Sequence, residues 1–178
     1  MRFTPTELAG VAIVDIEPAV DDRGAFARLH CPEEFQAAGW PFAPVQTSLS
    51  RNPRPFTLRG MHYEPPPHEE AKLVRVTRGR IFDVALDLRA GSPSFGRWAG
   101  VELSADNARA FLIAPGVAHG FLTLEPDTDV IYQIDKIFTP GHGQGVRWND
   151  PAFGIRWPAS PVMISERDAT YPDFKAQG

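Results

Sequence analysis

Proline constrains this chain most: it holds 18 prolines and 15 glycines in 178 residues, and the proline share is about twice the usual 5%. Each proline inside a helix removes a hydrogen bond and clashes with the preceding turn, so a helical bundle is excluded. The length suits one domain over residues 1–178 and is marginal for two. Hydrophobic residues at 43% and charged residues at 22% are ordinary for a globular protein. Eighteen basic against 22 acidic side chains leave a net charge of −4, so no basic field attracts nucleic acid. A single cysteine, Cys31, cannot staple the fold and points to a reducing compartment or to indifference to redox. No apolar run approaches the roughly 20 residues that span a bilayer, and the first ten residues lack a signal peptide's apolar core. The expectation is a cytoplasmic protein without a membrane segment.

Short β-rich runs recur along the chain, each punctuated by turn residues. They cover Val11–Ile16, Val45–Ser50, Thr57–Tyr63, Lys72–Thr77, Ile81–Leu88, Val101–Leu103, Arg109–Ile113, Gly120–Leu124 and Asp129–Ile134. Asp21–Gly24 reads as a turn before Phe26, and Ser104–Asn107 as a hairpin-like connection. Pro32–Gly39 alone reads as a helix, with proline in its first turn and a glycine stop. The chain beyond Thr139 reads as ordered loop with short strands. About ten strands without α/β alternation predict an all-β sandwich or barrel, able to hold one small molecule in its mouth.

Three polar groups fall on the apolar parity of separate strands. Lys72 shares the parity of Val74 and Val76, Tyr132 lies between Val130 and Ile134, and His62 shares that of Leu58 and Gly60. A lone inward histidine or tyrosine is more often a hydrogen-bonded core residue, but an inward lysine is costly unless paired or used. Counted with Asp168, the set suits proton abstraction next to a carbonyl: imidazole as base, carboxylate as its orienter, ammonium beside the developing enolate, phenol as proton donor. Arg23 and Arg59, each next to a glycine, are candidates for gripping a phosphate. Arg59 and His62 differ in parity, so a bulge or bend at Gly60 is needed to bring both to one site. His68 and His142 carry no signal of their own, and Trp98, Trp148 and Trp157 read as core or interface anchors. No dinucleotide fingerprint, nucleophile elbow or Walker loop occurs.

Six ordered motifs carry a resemblance: Thr57-Leu-Arg-Gly-Met-His-Tyr, Glu70-Ala-Lys-Leu-Val-Arg, Asp83-Val-Ala-Leu-Asp-Leu-Arg, Ser92-Pro-Ser-Phe-Gly-Arg-Trp, Ala118-His-Gly-Phe-Leu-Thr-Leu and Arg147-Trp-Asn-Asp-Pro. Together they resemble dTDP-4-dehydrorhamnose 3,5-epimerase and its relatives. The resemblance implies a cupin-type jelly roll, a homodimer with strand exchange near the N-terminus, and cofactor-free epimerisation of a nucleotide-linked 4-keto-6-deoxy sugar. It implies that His62 is the base, Asp168 its dyad partner, Lys72 the enolate-stabilising group and Tyr132 the proton donor. Arg23 and Arg59 then contact the diphosphate, Gln46 lies on the substrate side, and His119 lines the sugar pocket.

Departures from the family pattern surround the substrate. Ser48 stands where asparagine is typical, Glu64 where glutamine is usual, Arg28 where an acidic residue is common, Phe138 where a second tyrosine is common and Gly143 where a glutamate often sits. Polar sites discriminate strongly between ligands, so a C3-only or C5-only epimerase acting on another nucleotide sugar stays open. Two other readings also remain: a metal-dependent cupin isomerase or oxygenase holding its ion through His62, Glu64, His119 or Glu69, and a sugar-nucleotide binding protein without turnover.

Overall fold

A computed structural model describes residues 1–175. Thirteen strands and two short helices follow in order: β1 (Arg2–Pro5), β2 (Ala12–Asp15), β3 (Ala19–Asp21), β4 (Gly24–Phe26), α1 (Pro32–Ala37), β5 (Gln46–Asn52), β6 (Leu58–Tyr63), β7 (Lys72–Arg78), β8 (Arg80–Asp87), β9 (Trp98–Ser104), β10 (Ala110–Ile113), β11 (Val117–Thr123), β12 (Thr128–Ile134), β13 (Gln144–Gly145) and α2 (Glu166–Ala169). Strands β1-β2-β10-β7-β12-β5 form one antiparallel sheet and β13-β6-β11-β8-β9 a second. The two pack as a cupin-type jelly roll, the all-β architecture that the proline content and strand spacing predict. Among the described residues no helix is long and apolar enough to cross a membrane.

The segment Ser104–Asn107 does not close a hairpin. β9 ends in the five-stranded sheet and β10 begins in the six-stranded one, so the chain crosses between layers there. Short-range turn chemistry looks the same in either case: Asn107 Oδ1 accepts from the Ser104 and Arg109 amides. Two further departures matter for the site. The strands β3 and β4 form a separate two-stranded sheet, and the C-terminal segment read as loop contains the single-turn helix α2.

Alternation along the strands sorts the side chains into layers. Val74 and Val76 on β7, Ile81 and Ala85 on β8, Val117 and Phe121 on β11 and Val130 on β12 meet between the sheets. The opposite parity of β7, with Leu73, packs outward beneath Phe35 of α1 and Phe42. Val84 and Leu86 of β8 face the other way, under Phe153, Trp157 and Phe174 of the C-terminal segment. Trp98 joins that layer, and Trp148 meets Trp157 edge-on with ring centres 6.5 Å apart. Each fully buried leucine, valine or phenylalanine in these layers contributes about 1.5–3 kcal/mol.

Towards one end of the sandwich the inward positions change character. On the parity that carries valine and isoleucine elsewhere stand Lys72, His119 and Tyr132, and β5 adds Gln46, Ser48 and Ser50 from the edge of its sheet. All six line one cavity of about 830 Å³.

Candidate active site

The strand β6 supplies both a cation and an imidazole to this cavity because it is not regular. Against β11, the pairing steps from His119 opposite His62 to Phe121 opposite Arg59. Gly60 and Met61 of β6 therefore oppose the single residue Gly120 of β11, which is a bulge. Gly60 has φ of 128°, and a Cβ there would stand 2.5 Å from Gly120 Cα, so only glycine fits. The irregularity brings Arg59 and His62 to the same cavity, as the parity conflict required.

His62 Nε2 lies 2.6 Å from Asp168 Oδ1. The imidazole is about half open to the cavity while the carboxylate is buried. With Nε2–H donating to Asp168, Nδ1 is the basic nitrogen. The partner comes from α2: Ser165 caps that turn by accepting from the Asp168 amide, and Asp168 Oδ2 accepts from the Gly60 amide. Burial pushes the Asp168 carboxyl up, but the His62 contact and the hydrogen bonds from Gly60 and at Ser165 outweigh it and hold the group below its ordinary range. The carboxylate is thus ionised and ready to stabilise an imidazolium.

Tyr132 and Lys72 belong to neighbouring strands of the facing sheet. Tyr132 leans on the inter-sheet core, and Lys72 pairs with Glu70 at 3.0 Å. His119 also points inward and holds a second buried acid, its Nε2 lying 2.7 Å from Asp83 Oδ1. Burial pushes Asp83 upward against the pull of His119, and its Oδ2 has no hydrogen-bond partner among the described residues. Arg59 is aimed by its Nε–H, which donates to Asn52 Oδ1 at 2.9 Å. Gln46 Oε1 accepts from the Phe138 amide at 3.2 Å, tying the loop after β12 to β5.

The cavity thus gathers His62, Asp168, Lys72, Tyr132, Gln46, Ser48, Arg59, Glu64, His119 and Phe138. Arg23 and Arg28 do not reach it. Arg23 sits at the tip of the β3–β4 hairpin, 90% exposed and paired with Asp21, and Arg28 is exposed and paired with Glu34. The hairpin pairs with neither main sheet, and neither Arg23 nor Arg28, which follows the hairpin two residues after Phe26, lines the cavity. The metal reading does not fit either: among the described residues no three His, Cys, Asp or Glu side chains group around a common point. His62 and His119 each turn Nε2 to a single aspartate instead.

Sequence reasoning missed several members. Asp83 was legible as an acid on the inward parity of an apolar strand, a position that demands a partner. Arg167, whose Nη2 donates to Gly143 O at 2.7 Å, lines the cavity beside Asp168. Glu70 lines it behind Lys72. His68, which carries no signal of its own in the sequence, borders a second cavity and stacks on His142 with ring centres 4.0 Å apart.

The family model of dTDP-4-dehydrorhamnose 3,5-epimerase matches residues 5–176. The chain belongs to this epimerase family. It is 41% identical to the dTDP-4-dehydrorhamnose 3,5-epimerase of Methanothermobacter thermautotrophicus over 177 residues, covering 98% of this chain and 95% of the relative. The crystal structure of the Bacillus anthracis 3,5-epimerase with TDP and pyrophosphate bound superposes with a TM-score of 0.92 at 36% identity, covering 97% of this chain and 99% of the other. The Legionella pneumophila epimerase in complex with dTDP-4-keto-L-rhamnose gives 0.88 at 32% identity, covering 98% and 99%. These epimerases thus share the jelly roll within which the His62–Asp168 pair faces Tyr132 and Lys72.

Proposed function

We propose that this protein epimerises a dTDP-linked 4-keto-6-deoxyhexose at C3 and C5. The observation that carries the reading is the placement of base and acid on opposite sheets: His62 with Asp168 on one wall of the cavity, Tyr132 with Lys72 on the other. A sugar ring lying between the walls presents one face to each.

The carbons beside the C4 ketone carry acidic hydrogens. His62 Nδ1 removes the proton from C3 or C5, the C–H electron pair moves into the ring to form a C=C bond, and the C4 oxygen becomes an enolate. Asp168 stabilises the imidazolium through Nε2–H. The Lys72 ammonium meets the negative charge at the oxygen, where preorganised positive groups do most for the rate. When the enolate collapses back to the ketone, its carbon takes a proton from the Tyr132 hydroxyl on the opposite face, which inverts the centre. Solvent then takes a proton from His62 and returns one to Tyr132, so the protons balance. Arg59, on the same bulged strand as the base, suits the diphosphate, and fixed phosphate contacts place the ring for reaction.

The chain also pairs with a second copy by exchanging the β3–β4 hairpin and the residues just after it, which carries Arg23 and Arg28 to the partner's cavity. Support comes from Val20 and Phe26, 74% and 79% exposed on a hairpin that pairs with neither main sheet, a pattern that marks a binding surface. Light scattering tests this: a dimer is expected for the parent and a monomer with loss of turnover for Phe26→Asp, whereas a monomeric parent would overturn the exchange.

Incubation in deuterated water with dTDP-, CDP- and GDP-linked 4-keto-6-deoxyglucose tests the activity by NMR. The expected result is label at both C3 and C5 of the dTDP sugar, undiminished in chelator and slowed at least about 100-fold in His62→Ala. Label at one carbon only would reduce the reading to a mono-epimerase, and no label in any sugar would overturn it in favour of a binding protein.

A further inference from the structure

The reaction uses Lys72 but leaves Glu70 without a task, although a carboxylate is an expensive group to bury. Glu70 stands two residues before Lys72 at the entry to β7, on the same parity, so both side chains point inward. Their exposures are 10% and 11%, and Glu70 Oε1 lies 3.0 Å from Lys72 Nζ. The backbone between them is clamped: the Ala71 amide donates to Asp135 Oδ1 at 2.7 Å, while Lys72 sits opposite Ile113 on one side and Ile134 on the other. Glu70 borders both the sugar cavity and the second cavity behind it, so its carboxylate forms part of the wall between the two.

We infer that Glu70 is a positioning residue that holds the Lys72 ammonium at the wall of the sugar cavity where the C4 oxygen docks. The inference rests on the proposed epimerisation, in which Lys72 meets the enolate. A lysine hangs on four flexible carbons and its charge is a compact point with three rotatable donors. Left alone it would lose rotamer freedom whenever it engaged the oxygen, and desolvation would work against its charge. The carboxylate at 3.0 Å counters both by occupying one side of the ammonium, which leaves the other donors for the substrate. Glu70 acts through Lys72 and takes no part in proton transfer. Because the enolate oxygen is charged only in the intermediate and in the transition states flanking it, the effect belongs in kcat and not in ground-state binding.

Glu70→Gln keeps the size and removes the charge, and is assayed with dTDP-4-keto-6-deoxyglucose for kcat, KM and deuterium incorporation at C3 and C5. We expect kcat and both incorporation rates to fall about 10- to 100-fold while KM stays within about threefold. Glu70→Asp, which keeps the charge on a shorter arm, recovers part of the loss and supplies the comparison if the glutamine variant does not fold. In a Lys72→Met background the Glu70→Gln change has no further effect on incorporation, because the group it positions is gone. The inference is overturned if Glu70→Gln leaves kcat within about twofold of the parent, if the loss lies in KM alone, or if it persists undiminished beside Lys72→Met. Absence of incorporation in the parent protein would overturn the epimerase reading and this inference together, whereas incorporation in the parent that the glutamine change leaves untouched would overturn this inference alone.

Discussion

Two histidine–aspartate pairs stand side by side in this cavity, with His62 and His119 directly opposite each other on β6 and β11. Their geometry is nearly the same, 2.6 Å and 2.7 Å from Nε2 to the carboxylate. Their acids are supported differently. Asp168, beside the cap of a helical turn, takes a second hydrogen bond from Gly60 and is held down. Asp83 lies wholly inside the sandwich with one oxygen unpartnered among the described residues and is pushed up. The distance between a histidine and an aspartate therefore does not define a catalytic dyad. What separates the two is whether the surroundings favour the carboxylate, which decides whether a neighbouring imidazole can accept a proton and keep it.

The comparison breaks most visibly at the imidazoles. His62→Ala should lower the rate of solvent-deuterium incorporation by about 10²- to 10⁴-fold, the range a positioned general base contributes. A comparable loss in His119→Ala would erase the distinction between the two pairs. Next come the acids. Asp168→Asn preserves an acceptor for His62 but removes the charge opposite the imidazolium, so kcat should fall about 100-fold or more. The same exchange at Asp83 should cost no more than about fivefold, since His119 keeps its acceptor and no charge develops there. Steady-state kinetics on the two asparagine variants compares them directly.

A smaller effect sharpens the contrast in stability. Asp83 has a folded value above the free carboxyl, so the native state binds the extra proton and this group's contribution falls as pH rises from the free value through the raised one. Asp168 has a folded value below the free carboxyl, so its contribution is present above the free value and is lost as pH falls through the depressed one. Thermal melts of the two asparagine variants between about pH 3 and about pH 7 should therefore diverge from the parent in opposite senses. For Asp168→Asn the deficit closes on acidification. For Asp83→Asn the variant gains on the parent as pH rises. Parallel curves would show that the two acids are supported alike.

Legibility in the sequence followed the range of the forces involved. Strand positions, the inward parity of Lys72 and Tyr132 and the need for an irregularity at Gly60 are local properties, read from alternation and from one glycine between two mismatched residues. What lay beyond local reading was partnership. Ser104–Asn107 has the chemistry of a turn whether the next strand returns to the same sheet or crosses to the other. The helix α2 is one turn long and too short for any periodicity to announce, although Ser165 three places before Asp168 is a capping signal. The positions of Asp168 and of Glu70 followed from the resemblance and from the structure respectively, because a carboxylate in a chain does not show which cation it will meet. Arg23 and Arg28 were assigned to a cavity whose lining in their own chain does not include them.

The contact between Gly60 and Gly120 reaches further than the local shape of a strand. Two backbones touch there with no room for even a methyl group, and the angle of the base relative to the guanidinium is set by that collision. Geometry enforced by crowding does not soften with heat or salt as a hydrogen bond does, and it offers natural selection no graded alternatives. Chains descended from this one can therefore redecorate the rim of the cavity for new sugars while these two positions, which do not line it, tolerate nothing larger than hydrogen.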